Sequence, residues 1–312
     1  MNSLKNNSIF GNWATLLLAT DAYGNIDYLK LADEMDVLTA SHPNGIYSNG
    51  TAGEFYAQTE DEFDHISLML SEKCEKAGIP YQIGVSHSSP QISLERLKRI
   101  RHLQPGAVQV ILPDWFPVTL DEAVIFLQKM EEEANGISLV LYNPPHAKKQ
   151  LLPEDWAILK KHIPSLAGLK VFDQNADPEW YSKMRGNNDG LSVFIPGHRL
   201  VTGLQNGAHG AYSNVACLNP FAAQKWYGLS QTNLPAALEL ESRINQFMSG
   251  LIAPFITEHQ YPNHACDRFM ALVGGWADVG AKLRWPYRSI PENEVERVRR
   301  EAKKIIPEFF EW

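Results

Sequence analysis

Eight short apolar runs, separated by amphipathic segments that open and close on capping residues, predict an α/β fold: a (β/α)8 TIM barrel over residues 1–220 with a C-terminal helical extension over 221–312. Three observations carry this. Several runs are continuously apolar rather than alternating, as strands buried on both faces of a parallel sheet are. The segments between them carry helix start and stop signals. No GxGxxG follows the first run, which argues against a doubly wound sheet.

The strand runs are 13–19, 45–48, 81–85, 107–112, 137–142, 168–172, 192–195 and 210–213. After the second, Thr59 and Glu62 form a capping box, and Gly78 predicts the stop of that helix. Ser93 is expected to cap the next helix. Thr119 and Glu122 repeat the box, with an end near Gly136, and Pro153 suits a first helical turn. Beyond Pro220 no strand run recurs. Helices are expected over 222–230, 235–249 and 291–309, with a less regular piece at 267–276.

The chain has 312 residues, 44% of them hydrophobic, enough for a large core. A net charge of −8 argues against a nucleic-acid surface, which would be basic. Cys74, Cys217 and Cys266 are odd in number and lack CxxC spacing, which fits a reduced compartment and neither a disulfide framework nor a zinc knuckle. The start, Met1 to Asn7, lacks a basic-then-apolar leader. The apolar stretch 13–20 is far short of the ~20 residues that span a bilayer. The expectation is a cytoplasmic protein without membrane or nucleic-acid partners.

Chemistry in such barrels sits at the C-terminal ends of the strands. Lys170 ends the sixth run. Burial lowers a lysine's pKa, by up to ~3–5 units in extreme cases, and a desolvated amine is a Schiff-base nucleophile. The other reading is a strand-end lysine that reaches solvent or pairs with Asp173. Tyr142 ends the fifth run, where its phenol either moves protons or bonds to backbone. Asn143-Pro144-Pro145 forces an extended exit from that strand. Gly50-Thr51-Ala52-Gly53 after the second run is either an anion nest for a carboxylate or a plain tight turn. His198 and His209 are expected near the barrel mouth without a carboxylate at metal-ligand spacing, and no HExxH exists, so no metal is expected. Ser213 has no GxSxG setting.

Together these residues resemble the dihydrodipicolinate synthase / N-acetylneuraminate lyase family. Gly50-Thr51-Ala52-Gly53-Glu54 is similar to its G-[TS]-[TS]-G-E turn, Tyr142-Asn143-Pro144-Pro145 to its Y-N-x-P strand end, and Gly168-Leu169-Lys170 to its G-x-K strand. Gly197, the segment 206–213 and Asn219-Pro220 resemble its last two strands, and Asn25-Ile26-Asp27 fits as well. The resemblance runs over residues 11–220 and more loosely beyond.

It implies a class I aldolase or lyase that binds pyruvate or a pyruvate-derived 2-oxo acid, without cofactor, as a homo-oligomer (tetramer or dimer). Lys170 would form the imine, Tyr142 shuttle the proton and Thr51 assist. Ala52 would hold the carboxylate with Thr51 through backbone N–H groups, with Gly53 in the same turn. Trp115, Gly197, His198 and Tyr212 would shape the remainder of the pocket.

The departures bear on substrate. Trp115 lies nearest a relay tyrosine of the synthase, and an indole cannot relay a hydroxyl proton. Ala147 stands in place of its carboxylate-binding arginine, leaving Lys148 or His146 as substitutes without the bidentate fork. Tyr212 replaces a small aliphatic residue. The leading expectation is cleavage of a 2-oxo acid such as a 2-keto-3-deoxy acid. The alternatives are a dehydratase using the same imine, a synthase with a divergent site, a non-catalytic 2-oxo acid-binding barrel and, last, a metal-dependent hydrolase.

Overall fold

The computed structural model describes residues 2–5, 8–188 and 190–311. Met1, Asn6 and Asn7 of the opening segment lie outside the described residues. The strands are β1 (Gly11–Thr15), β2 (Gly45–Ser48), β3 (Tyr81–Gly84), β4 (Ala107–Ile111), β5 (Ser138–Asn143), β6 (Leu166–Val171), β7 (Ser192–Pro196) and β8 (Gly210–Ser213). Each pairs in parallel with the next, and β8 returns to β1 through Gly11↔Gly210 and Trp13↔Tyr212, closing an eight-stranded barrel. The α/β class and the barrel with C-terminal helices are therefore as the sequence predicts.

Both expected capping boxes are present. Thr59 accepts from the Glu62 N–H and starts the helix Glu60–Ala77, which Gly78 ends at φ 69°. Thr119 does the same for Leu120–Ala134, which stops on left-handed Asn135 ahead of Gly136. Two local expectations are corrected. The first strand runs over Gly11–Thr15 rather than 13–19; Leu16 to Ala19 leave the sheet and stay buried beneath the helical shell. The third helix starts at Pro90 with Ser89 as its N-cap, and Ser93 lies fully buried inside it. Proline at the first helical position overrides the serine three residues on, because its fixed φ suits that place and its missing N–H costs nothing there.

Inside the barrel, Trp13, Tyr47, Val140, Phe194 and Tyr212 form an aromatic plug of their own, separate from the larger core between strands and helices. The Tyr212 ring lies 4.7 Å from that of Phe194 and 5.0 Å from that of Tyr47, and its hydroxyl donates to Gln82 Oε1 at 2.7 Å.

Beyond the barrel the chain forms the helices Pro220–Thr232, Leu234–Phe247, Ala253–Thr257, Asn263–Gly274 and Val295–Ile305. The piece expected at 267–276 thus starts earlier, directly after Pro262. The one expected at 291–309 narrows to Val295–Ile305 between two 3-10 turns. Asn263–Gly274 is buried over nine of its residues. Trp276 Nε1 donates to the Cys217 carbonyl at 2.8 Å just past its end, which ties the extension to the barrel mouth.

Candidate active site

Strand pairing puts Tyr142 of β5 directly beside Lys170 of β6, and Lys170 beside Phe194 of β7. Both side chains line a cavity of about 320 Å³ at the C-terminal end of the barrel, above the aromatic plug. That is ample for a small organic acid. The Lys170 Nζ lies 4.2 Å from the centre of the Tyr142 ring, 4.9 Å from that of Tyr47 and 5.3 Å from that of Tyr212. Burial pulls its pKa from the ordinary 10.5 down to about 8, against the opposing charge of Asp267. Asp173 is not its partner. That carboxylate is fully buried and held by Arg199, whose Nε donates to both its oxygens, and by the Tyr181 hydroxyl at 3.0 Å. Lys170 is left as an amine among aromatic faces, facing an open volume.

Tyr142 is also desolvated, which raises its phenol to about 12, while a hydrogen bond with the Thr51 side chain stabilises the phenolate. Thr51 and Ala52 line the cavity on the turn after β2. The turn is held from several sides. Asn49 at φ 53° and Glu54 at φ 52° take left-handed conformations on either side of it. A Cβ on Gly50 would fall 1.3 Å from the Tyr47 hydroxyl, so only glycine passes there. Gln58 Nε2 donates to the Gly53 carbonyl at 2.7 Å. Gly53 supports the turn from behind and does not reach the cavity.

Gly197 and His198 follow β7 and line the opposite wall. A Cβ on Gly197 would meet Ser213 Oγ at 2.7 Å, so the backbone comes close to β8 there. Arg199 Nη1 donates to His198 Nε2 at 2.9 Å, and His198 Nδ1 lies 3.1 Å from the Asn214 side-chain amide nitrogen. Burial and then the Arg199 charge lower the His198 pKa to about 4, so the imidazole is neutral near pH 7. Tyr212 forms part of the floor, its hydroxyl already committed to Gln82.

Trp115 is not brought to the cavity. It is 77% exposed on the loop after β4, packed edge-on against Phe116, with the Lys148 ammonium 5.5 Å from its ring and bonded to its carbonyl at 2.7 Å. Asp114 Oδ1 accepts from the Lys148 backbone N–H and turns this loop outward. Of the two expected substitutes for the missing arginine, His146 lines the cavity and Lys148 does not. His209 is corrected too. It precedes β8, bonds to Val193 at the opposite end of the barrel, and is far from the mouth. Among the described residues no group of three or more His, Cys, Asp or Glu is placed to hold a metal ion.

Sequence reasoning missed the contribution of the extension. Ile256, Asn263 and Asp267 reach into the cavity, as do Tyr47 and Cys217 from below. Tyr47 was findable, being on the strand just before the glycine turn. Ile256, Asn263 and Asp267 carry no local signal, because only docking of the distant extension brings them in.

A sequence model described as the Dihydrodipicolinate synthetase family matches residues 9–305. A 2-dehydro-3-deoxy-D-gluconate/2-dehydro-3-deoxy-phosphogluconate aldolase of Picrophilus torridus is 27% identical over 197 residues, which are 62% of this chain and 72% of that protein. A 4-hydroxy-tetrahydrodipicolinate synthase 2 of Halalkalibacterium halodurans is 21% identical over 281 residues, 88% of this chain and 91% of that one. Among solved structures, YagE from E. coli K12, a dihydrodipicolinic acid synthase family protein in complex with pyruvate, superposes with a TM-score of 0.82 at 16% identity, covering 95% of this chain and 98% of its own. No helix among the described residues is long and apolar enough to cross a membrane.

Proposed function

The chain belongs to the dihydrodipicolinate synthetase family of lyases, and on that premise we propose that it cleaves a 2-keto-3-deoxy acid to pyruvate and an aldehyde through an imine on Lys170. The observation that carries this reading is the Lys170 amine, depressed to about 8 and enclosed by Tyr142, Tyr47 and Tyr212 at the floor of an open cavity.

The neutral amine attacks the C2 ketone of the substrate, and loss of water leaves a protonated imine. The backbone N–H groups of Thr51 and Ala52, two residues that line the cavity on the turn after β2, receive the C1 carboxylate. Tyr142, acting as the phenolate that its bond with Thr51 stabilises, takes the proton from the C4 hydroxyl and later returns it to C3. The C3–C4 bond then breaks. Its electron pair moves onto C3 and into the imine, giving an enamine and a free aldehyde. Protonation at C3 and hydrolysis return Lys170 and release pyruvate. Acid–base assistance of this kind contributes roughly 10²–10⁴-fold in rate. No cofactor takes part, because the imine itself accepts the electrons.

A synthase acting on an aldehyde with its own carboxylate has less support. Among the described residues no arginine lines the cavity, and Trp115 turns away from it. We extend the reading to a homo-oligomer, since Trp115, Phe116 and Ile125 are all more than half exposed, apolar surface that a second copy would cover.

The test is borohydride reduction in the presence of pyruvate, followed by peptide mass spectrometry. The expected result is a reduced pyruvate adduct on Lys170 and none on Lys170→Arg. An unlabelled Lys170, or an adduct on a different lysine, overturns the reading. A panel of 2-keto-3-deoxy sugar acids then identifies the aldehyde half.

A further inference from the structure

The cavity holds one ionisable group that the reaction above leaves idle. Asp267 stands on the helix Asn263–Gly274 of the extension, lines the cavity and is only 8% exposed. Among the described residues its carboxylate makes no hydrogen bond and no ion pair, although a buried charge ordinarily has a partner. Lys170 likewise touches only aromatic rings. The amine and the carboxylate thus share one cavity without contact, each feeling the other's charge. Both line the same cavity of about 320 Å³.

We infer that Asp267 is a further catalytic residue, the base that takes a proton from the Lys170 ammonium and the acid that returns it to the departing hydroxyl as the imine forms. The inference rests on the imine reading given above.

The proton balance requires such a group. Lys170 begins as an ammonium. One proton passes to the Asp267 carboxylate, and the freed nitrogen lone pair attacks C2 while the carbonyl π pair moves onto oxygen. A second N–H proton passes to that oxygen by way of the Tyr142 phenol, giving a neutral carbinolamine. Asp267 then protonates the hydroxyl, the C–O bond breaks, and the nitrogen lone pair closes the C=N bond. The products are a protonated imine, one water and the original carboxylate.

Tyr142 is a poor carrier for the first and last steps, since its phenol is raised to about 12. A shuttle works best with a pKa near the ambient pH. Burial lifts Asp267 from 3.8 to about 7, with the Lys170 charge pulling the other way. The groups that feel its charge are Lys170 on β6, Tyr142 on β5, Tyr47 on β2, Cys217, Tyr56 and Cys266. Lys170 is the single cation in that set. Arg268, next along the helix, is turned away and bonded to Glu54 and the Leu18 carbonyl.

The experiment is rapid-quench borohydride trapping of pyruvate, followed against pH in the wild type, Asp267→Asn and Asp267→Ser, with folding checked by circular dichroism. Asp267→Asn is expected to trap about 10²-fold more slowly or worse, with one ionisation missing from the pH profile. Formate is expected to restore part of the rate in Asp267→Ser, which a purely structural role would not allow. Trapping by Asp267→Asn at the wild-type rate and with the wild-type profile overturns the proposal. So does a wild-type profile governed by one ionisation, whether or not the variants fold. Failure of the wild type to label Lys170 at all would sink the imine reading instead, so the two outcomes stay distinct.

Discussion

Glu34 is fully buried, and burial raises its carboxyl from 4.5 to about 8 despite the bond that Oε1 accepts from the Leu17 N–H at 2.7 Å. A carboxyl raised in the folded state binds a proton that the unfolded chain has already released. Between about pH 4.5 and pH 8, stability therefore falls as pH rises, and it levels off above that window. Glu34→Gln keeps an acceptor for Leu17 and removes the charge. Urea unfolding should find the two proteins about equally stable near pH 5 and the variant more stable by a few kcal/mol near pH 9. Equal pH slopes for both would contradict this. Single residues also show what the sequence could and could not disclose. Lys170 and Tyr142 were legible because each ends an apolar strand, and barrel topology sends strand ends to one mouth. Asp267 was not, since nothing around it at 263–274 marks which turn of that helix would face a barrel whose last strand ends at Ser213.

At the level of elements, one side chain stitches the extension to the barrel. Arg268 bonds to the Leu18 carbonyl after β1, to Glu54 Oε1 after β2 at 2.7 Å and to the Val279 carbonyl at 2.7 Å. Glu54 completes the joint by accepting from the Arg284 N–H at 2.9 Å. Both members of the ion pair are almost wholly buried. Removing one leaves the other charge unpaired in a dry site, a loss of about 3–5 kcal/mol. Arg268→Met is expected to shift the urea midpoint accordingly and to slow imine trapping, because the same helix carries Asp267. A midpoint within error of wild type would refute the joint. Capping boxes were readable here since a Thr and a Glu three apart satisfy each other locally. The start at Pro90 was misplaced because two serines competed for one role, and the loop after β4 because Asp114 captures the Lys148 N–H of the neighbouring loop after β5.

For the molecule as a whole, the exposed Trp115 and Phe116 are the feature that a lone barrel leaves unexplained. They sit at 77% and 75% exposure on a chain of net charge −8. Replacing both with glutamate should lower the mass seen by analytical ultracentrifugation, with circular dichroism unchanged. A monomeric wild type would end the homo-oligomer reading. The eight strands were visible from the pattern of apolar runs, whereas the complete cavity was not, since its far wall is built from Ile256, Asn263 and Asp267. The plug of Trp13, Tyr47, Phe194 and Tyr212 has a consequence for traffic. It closes the barrel beneath the amine, so that the cavity lies above it as a blind shaft. Whatever is tethered at the bottom must wait for the fragment above it to depart. On the proposed reaction the aldehyde would leave before pyruvate, and in the reverse direction pyruvate would arrive before it.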